Sequence, residues 1–308
     1  MSRRGKNALL QRVEYAAYRV VARLFMRASD DGIQRWGARL GRIARRALRR
    51  RDRLAMHNLR IAFPQKSDAE LRAILNACWI HFGREALGYI RLQNMSLEQI
   101  AERCPLVNAE LVDEALARGN GVVVVSAHYG GWEVAGLAFL SRFNNVRTVT
   151  RRLDNDFLER DLARIRAKTG AEVVDRRKAA RALMRGLSQN AVIILLPDQA
   201  VLPREGVLAS FMGRKAWTTP APAKMAVRAG STIVFGFCIP DRARHRIEFE
   251  QPIRVDQLSE EQRTDEALTT RINDVISRRI AERPELWLWM HDRWKGTAPG
   301  ESETANGE

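Results

Sequence analysis

The sequence predicts an α/β fold, with a mostly parallel central sheet flanked by helices and a helical segment ahead of it. From residue 110 onward, apolar runs of strand length alternate with helical patterns. The run GVVVVS at 121–126 is continuous and β-branched, as in a strand buried on both faces. The chain has 308 residues, 45% of them hydrophobic, which is enough to bury a substantial core.

The predicted elements follow in a regular order. Helices with a turn at Pro64 occupy residues 29–110, ahead of the sheet. After the first strand, further strands are predicted at 145–150, 171–174, 191–196, 231–237 and 245–250. The predicted helices of this part span 131–143, 156–168, 178–188, 217–228 and 265–282. Such alternation favours parallel strands, and ligands of parallel sheets bind beyond the carboxyl ends of the strands.

Positive charge is concentrated at the N-terminus. The net charge is +16, and residues 1–60, with 17 Lys and Arg against 4 Asp and Glu, account for +13 of it. An anionic membrane surface, an acidic protein or a nucleic acid would match this sign. The sequence lacks an RNP pattern, zinc-finger spacing or a recognition helix, so we expect no nucleic-acid partner.

The N-terminal segment is typical of a helix that lies in a membrane interface. The longest stretch without Asp, Glu, Lys or Arg is 119–132, 14 residues, whereas a spanning helix needs about 20. Residues 9–28 carry an apolar stripe at helical spacing, with arginines largely off that stripe. The alternative is a soluble helix that packs on the core and exposes a basic face. The residues predicted to bind the anionic membrane surface are Arg42, Arg45, Arg46, Arg49 and Arg50.

The segment SAHYGGWE, directly after the first strand, carries the strongest signal for chemistry. His128 and Glu133 are five residues apart, which on one continuous helix is about 140° out of phase. Gly130 and Gly131 supply a turn that would let the carboxylate reach the imidazole and orient it as a general base. The amide groups of this turn and of the helix start after it would stabilise an oxyanion, with an arginine as the alternative donor. A structural histidine beside a strand is the alternative.

Six ordered segments resemble one family. SAHYGGWE is similar to the HxxxxD/E motif of glycerolipid-type acyltransferases, in the form found in the bacterial lipid A late acyltransferase family. The other segments that resemble this family are NLRIAFP (58–64), TRRLDN (150–155), LLPDQ (195–199), 211–234 and WLWMHDRWK (287–295). The resemblance covers about residues 55–296 and departs from the family pattern at Ala127, Arg152 and Pro220 to Pro222.

The resemblance implies transfer of a fatty acyl group from acyl carrier protein to a hydroxyl of a lipid A precursor. His128 would be the general base, oriented by Glu133, and no metal or cofactor is implied. It also implies attachment to the cytoplasmic face of the inner membrane, peripheral or monotopic. The alternatives are another glycolipid or a lysophospholipid as acceptor, acyl-CoA as donor, or an inactive lipid-binding relative.

The remaining predictions concern the acceptor and the division of the chain. Arg151 and Arg166 match family arginines and would bind phosphate, while Asp198 and Gln199, at the end of a strand, would contact the acceptor or position an arginine. The predicted regions are a membrane-associating segment (1–55), an acyltransferase domain (56–296) and a disordered tail (297–308). The C-terminal tryptophans are interpreted as core, with an interfacial belt as the alternative.

Overall fold

The computed structural model describes residues 8–92, 95–150, 154–161, 172–175 and 179–297, and all structural statements concern these residues. It confirms the predicted α/β class. The central sheet has seven strands: β1 Leu106–Val107, β2 Val122–Val125, β3 Val146–Thr150, β4 Glu172–Asp175, β5 Val192–Leu195, β8 Thr232–Asp241 and β9 Arg244–Arg254. Their spatial order is β1-β9-β8-β2-β5-β3-β4, and every neighbouring pair is parallel except β8 with β9.

Helices cover both faces of this sheet. In chain order they are α1 Ala8–Phe25, α2 Asp30–Ala47, α3 Arg49–Ala62, α4 Asp68–Leu92, α5 Leu97–Arg103, α6 Glu110–Ala117, α7 Trp132–Leu140, α8 Ala179–Ser188, α9 Ala221–Ala229 and α10 Asp265–Glu282. Residues 156–161 are also helical. Alternate residues of β2 face opposite sides, so Val123 and Val125 join one apolar core and Val122 and Val124 the other. The helix predicted at 265–282 has those bounds in the structure.

The helix predicted at 217–228 begins later than the sequence suggested. Residues Val207–Phe211 (β6) and Arg214–Thr218 (β7) form an antiparallel hairpin, so Trp217 lies in a strand and α9 starts at Ala221. The two turn residues, Met212 and Gly213, have φ values of 50° and 77°. This pair of positive angles suits a tight hairpin. Methionine is not a typical residue for the first turn position, so the sequence pattern did not predict the turn.

The N-terminal helices form a layer held by close packing of α2 on α4. A Cβ atom on Gly83 would lie 2.2 Å from the carbonyl oxygen of Gly37 and 2.5 Å from the amide of Gly41. Only glycines allow this approach of the two helix backbones. Asp30, at the start of α2, accepts hydrogen bonds from Arg91 at 2.5 Å and Arg103 at 2.7 Å, which tie the layer together.

Helix α1 is oriented with its polar face inward. The side chains of Gln11 and Tyr15 face the 155–161 segment, where Tyr15 Oη donates to Asp161 at 2.8 Å and Gln11 Oε1 accepts from the amide of Asp156 at 3.2 Å. Its apolar stripe faces outward: Leu9 is 67% exposed and Leu24 69%. No helix within the described residues is long and apolar enough to cross a membrane.

Candidate active site

Two adjacent parallel strands bring His128 and Asp198 together. Strands β2 and β5 pair in a register that places Val125 beside Leu195. His128 and Asp198 each stand three residues beyond that pair, at the same edge of the sheet. The result is a hydrogen bond of 2.9 Å between His128 Nδ1 and Asp198 Oδ1. The carboxyl ends of adjacent parallel strands therefore supply both members of the pair.

Asp198 is a fully buried carboxylate whose two oxygens accept three hydrogen bonds. Besides the ring of His128, its Oδ2 accepts from the backbone amide of His128 at 3.0 Å and from Nε1 of Trp287 at 2.8 Å. Burial alone would raise the pKa of Asp198, but the charge of His128 and the hydrogen bonds from His128 and Trp287 outweigh it and lower that pKa below its usual value. Asp198 is therefore ionised at neutral pH.

His128 is held in the tautomer that a general base requires. Asp198 accepts the proton on Nδ1, which leaves Nε2 with its lone pair, and the His128 side chain remains 23% exposed. Burial would lower the pKa of His128, but the negative charge of Asp198, the hydrogen bond to it and, last, the charge of Glu133 raise it above the usual value. The ring is also packed against Trp132, with 5.6 Å between ring centroids.

Glu133 does not make the hydrogen bond that the sequence analysis assigned to it. In the described structure the ring of His128 is bonded to Asp198, and Glu133 acts on it only through its charge. The physical reason is position: Glu133 lies in the first turn of α7 and is exposed, while Asp198 comes from the strand beside β2. A catalytic role for Glu133 remains a prediction.

The amides of Gly130 and Gly131 are already engaged. Gly130, with φ of 59°, donates to the carbonyl of Leu286 at 2.8 Å, and Gly131 donates to the carbonyl of Cys238 at 3.3 Å. In this conformation these two amide hydrogens are not available to an oxyanion, contrary to their predicted role. The two residues do form the predicted turn, and a Cβ on Gly130 would lie 1.7 Å from the oxygen of Cys238.

A largely apolar cavity opens beside His128. Its volume is about 730 Å³, and its walls come from the sheet and from helices α7, α8 and α9. Apolar side chains such as Leu137, Phe139, Leu183 and Met225 line it. The polar residues that line it include Ser126, His128, Glu133 and Gln199. A hydrocarbon chain would therefore find an apolar space next to a general base.

Residues of the C-terminal segment donate and accept hydrogen bonds at Asp198 and the loop that follows it. Trp287, which the sequence analysis did not include in the site, is 1% exposed and donates to Asp198. His291 Nε2 accepts from the amide of Ala200, two residues beyond Asp198, at 3.1 Å. Trp289 and Trp294 are also buried, which confirms the core interpretation of these tryptophans. Asp198 and Trp287 are far apart in the sequence, so no sequence motif predicts their contact.

The other predicted binding residues have different outcomes. Arg151 and Arg166 lie outside the described residues. Gln199 lines the cavity. Arg45 is turned into the helical layer, where its side chain donates to Asp52 at 3.0 Å and Asn76 at 3.4 Å, so it is not free for a membrane. The remaining basic residues of this group are exposed: Arg42, Arg46, Arg49 and Arg50.

Comparison with known families agrees with this geometry. The family model described as "Bacterial lipid A biosynthesis acyltransferase" matches residues 5–296. The chain belongs to this family. It is accordingly an acyltransferase, and the position of His128 at the end of β2, beside an apolar cavity, suits a reaction on a lipid.

Individual relatives of this acyltransferase are distant. It is 23% identical over 264 residues to the lipid A biosynthesis myristoyltransferase of Escherichia coli (strain K12), covering 86% of this chain and 81% of that one. It is 27% identical over 233 residues to the phosphatidylinositol mannoside acyltransferase of Mycolicibacterium smegmatis, covering 74% of this chain and 73% of the relative. The 1-acyl-sn-glycerophosphate acyltransferase PlsC from Thermotoga maritima is a similar solved structure, with 14% identity, a TM-score of 0.40 and coverage of 78% of this chain and 98% of that one.

Proposed function

We propose that this acyltransferase moves a fatty acyl group from acyl carrier protein to a hydroxyl of a lipid A precursor, at the cytoplasmic face of the inner membrane. The observation that carries the proposal is the hydrogen bond of Asp198 to Nδ1 of His128. This bond leaves Nε2 of His128 able to accept a proton from a substrate beside an apolar cavity of about 730 Å³. The family and the relatives named lipid A acyltransferases support this acceptor.

The proposed reaction uses His128 twice. Nε2 takes the proton of the acceptor hydroxyl while the hydroxyl oxygen attacks the thioester carbonyl carbon, forming a tetrahedral intermediate and an imidazolium. The buried carboxylate of Asp198 stabilises that imidazolium. When the intermediate collapses, the carbon–sulfur bond breaks and Nε2 returns the proton to the leaving thiolate. The ester forms, the carrier thiol is released, and the enzyme is unchanged.

The apolar cavity is the proposed site of the acyl chain. Gly136, on α7, is one of its lining residues, and a Cβ atom added there would meet no other atom within 4 Å. The site therefore has room for a side chain at this position without rearranging the protein. A larger residue would occupy space that a long hydrocarbon chain needs.

We expect Gly136→Leu to shift the preferred donor toward shorter acyl chains. The leucine should add about 1 kcal/mol of helix propensity and leave the fold intact, so only the longer donors should lose rate. Competition among carrier-bound acyl chains of different lengths measures this. Gly88→Leu is the matched control, because Gly88 is also a helical glycine with open space but does not line the cavity. An unchanged length preference in Gly136→Leu would place the acyl chain elsewhere.

The outward apolar face supports attachment of helices α1 and α2 to an anionic membrane surface. A soluble amphipathic helix buries its apolar stripe, but α1 buries Gln11 and exposes Leu10, Val13 and Leu24. The exposed surface continues on α2, whose outward apolar residues are Trp36, Leu40 and Ile43. Phe25 of α1 contacts Trp36 at 6.4 Å between ring centroids, so the two faces adjoin. Apolar insertion and basic residues together provide the attachment.

We expect the double variant Leu10→Glu/Leu24→Glu to bind vesicles of phosphatidylglycerol and phosphatidylethanolamine at least about 10-fold more weakly. Both side chains face outward, so the melting temperature should not fall. Vesicle co-sedimentation at low and high salt measures the effect, and Val227→Glu is the control for an exposed apolar residue elsewhere. Unchanged vesicle binding by the double variant would remove α1 from the membrane interface.

A second acceptor class is favoured by a specific observation. The relatives at 27% identity are phosphatidylinositol mannoside acyltransferases, which makes another phosphorylated glycolipid the alternative acceptor. Acyl-CoA is the alternative donor. All of these reactions join an acyl thioester to a lipid hydroxyl, and the proposed role of His128 is the same in each.

The deciding experiment supplies the purified full chain with a radiolabelled acyl chain, carried either by acyl carrier protein or by coenzyme A. The acceptors are a lipid A precursor, a phosphatidylinositol mannoside and a lysophospholipid. Labelled lipid A precursor from the carrier donor is the expected product. Transfer only to one of the other two acceptors would replace the proposed one, and His128→Ala shows that any transfer observed comes from this site.

A further inference from the structure

A second histidine–carboxylate pair lies on the far side of the turn that presents His128. Glu85, on α4, accepts from Nε2 of His245, at the start of β9, at 2.9 Å through Oε2 and 3.1 Å through Oε1. Both side chains are nearly buried, 15% and 10% exposed. The pair joins the N-terminal helical layer to the sheet, and neither residue lines the apolar cavity.

This pair is in direct contact with the turn at Gly130 and Gly131. A Cβ atom on Gly131 would lie 2.6 Å from Cδ2 of His245 and 2.9 Å from Oε2 of Glu85. Only a glycine lets the backbone of the turn rest against these two side chains. One helical turn before Glu85, His81 Nε2 lies 3.3 Å from the carbonyl oxygen of Gly130 and donates to it.

The surroundings of Glu85 and His81 determine the protonation states of these two side chains. Burial alone would raise the pKa of Glu85, but the hydrogen bond and charge of His245 lower it below the usual value, so the carboxylate is ionised. Burial lowers the pKa of His81, against the opposing charge of Glu85, which leaves a neutral ring that can donate from Nε2. The turn therefore has a fixed, polar support on this side, as it has Asp198 on the other.

We propose that Glu85 and His245 are positioning residues for acyl transfer, which hold the Gly130-Gly131 backbone and thereby the angle at which His128 meets the substrate hydroxyl. The inference rests on the proposed role of His128 as the general base. A displacement of about 1 Å at a reacting group can cost about 100-fold in rate. Because the pair does not line the cavity, its loss should lower kcat and leave KM nearly unchanged.

The test uses the full chain and compares two kinds of substitution at each position. Glu85→Ala and His245→Ala remove the contact, and we expect kcat to fall about 10- to 100-fold, with KM for donor and acceptor within about 3-fold. Glu85→Gln and His245→Gln retain a hydrogen bond of similar reach, and most of the rate should return. Asp30→Ala is the matched control: it removes the hydrogen bond to Arg91 on the same helix, α4, away from the turn.

Three results would overturn the proposal: kcat retained in the folded alanine variants at Glu85 and His245, equal loss of kcat in the glutamine variants, or an equal loss in Asp30→Ala at the same drop in melting temperature. Where an alanine variant does not fold, Glu85→Asp tests the same contact. Its shorter side chain keeps the negative charge but moves the carboxylate away from Gly131. Full kcat in that variant also contradicts the proposal. If the proposed function itself fails, the wild-type chain transfers no acyl group. If only this inference fails, the wild type is active and His128→Ala is not.

Discussion

His128→Ala is expected to lower kcat for acyl transfer by about 10²- to 10⁴-fold, the usual contribution of a positioned general base. The reason is that Nε2 of His128 is the proton acceptor proposed for the attacking hydroxyl. The apolar side chains that line the cavity are unchanged by the substitution, so KM for the acyl donor should change little. Steady-state transfer from labelled acyl carrier protein, with the melting temperature measured in parallel, gives both constants.

The control for this substitution is another histidine of the same chain. His57 lies on α3, is exposed and is absent from the cavity lining, so His57→Ala should behave as the wild type. A folded His128→Ala variant that kept kcat within about 3-fold of the wild type would show that the hydroxyl is activated by another group.

Local patterns in the sequence predicted most of the sheet and its order along the chain. The β-branched run at β2 and the amphipathic pattern of α10 are signals that neighbouring residues carry by themselves. The hairpin of β6 and β7 was missed because its strands are short and its turn places a methionine at a positive φ. Such a conformation is set by tertiary pairing and has no strong local signature.

The candidate site shows the same division between local and distant information. His128 was predicted from its position after a buried strand, which is local. Its partner was assigned to Glu133 because the two are close in sequence, whereas Asp198 is 70 residues away and reaches the ring only because β5 lies beside β2. The order of strands in a sheet does not follow from their order in the chain. Trp287 and the Glu85–His245 pair were missed for the same reason.

Substitution of Asp198 by Asn is the second large expected effect, and it separates the two carboxylates. Three donors converge on Asp198: the ring and amide of His128 and the indole of Trp287. An amide offers one acceptor oxygen and a competing NH₂ group, so at least one donor loses its partner and the tautomer of His128 is no longer fixed. We expect kcat to fall about 10²- to 10⁴-fold, because the base is both misoriented and unstabilised when protonated.

The pH dependence of the transfer rate provides a second, independent test of Asp198→Asn. A general base works when neutral, so the rate rises as pH passes the pKa of His128. Burial would lower that pKa, but the charge of Asp198, the hydrogen bond to it and the charge of Glu133 together raise it above its usual value of 6.5. Removing that charge lowers the pKa of His128, and the acidic limb of the rate profile should move to lower pH. Glu133→Gln should move the same limb in the same direction by less, since the charge of Glu133 contributes least to the raised pKa.

Comparison of the two variants therefore decides which carboxylate orients the base. The rate–pH profiles of Asp198→Asn and Glu133→Gln are measured between about pH 5 and 9, a range that brackets the ordinary pKa of histidine. A larger loss of kcat and a larger shift in Glu133→Gln would mean that α7 moves when substrate binds and brings Glu133 onto the ring. The reverse result follows if Asp198 holds His128 throughout the reaction, as the buried hydrogen bonds of this structure indicate.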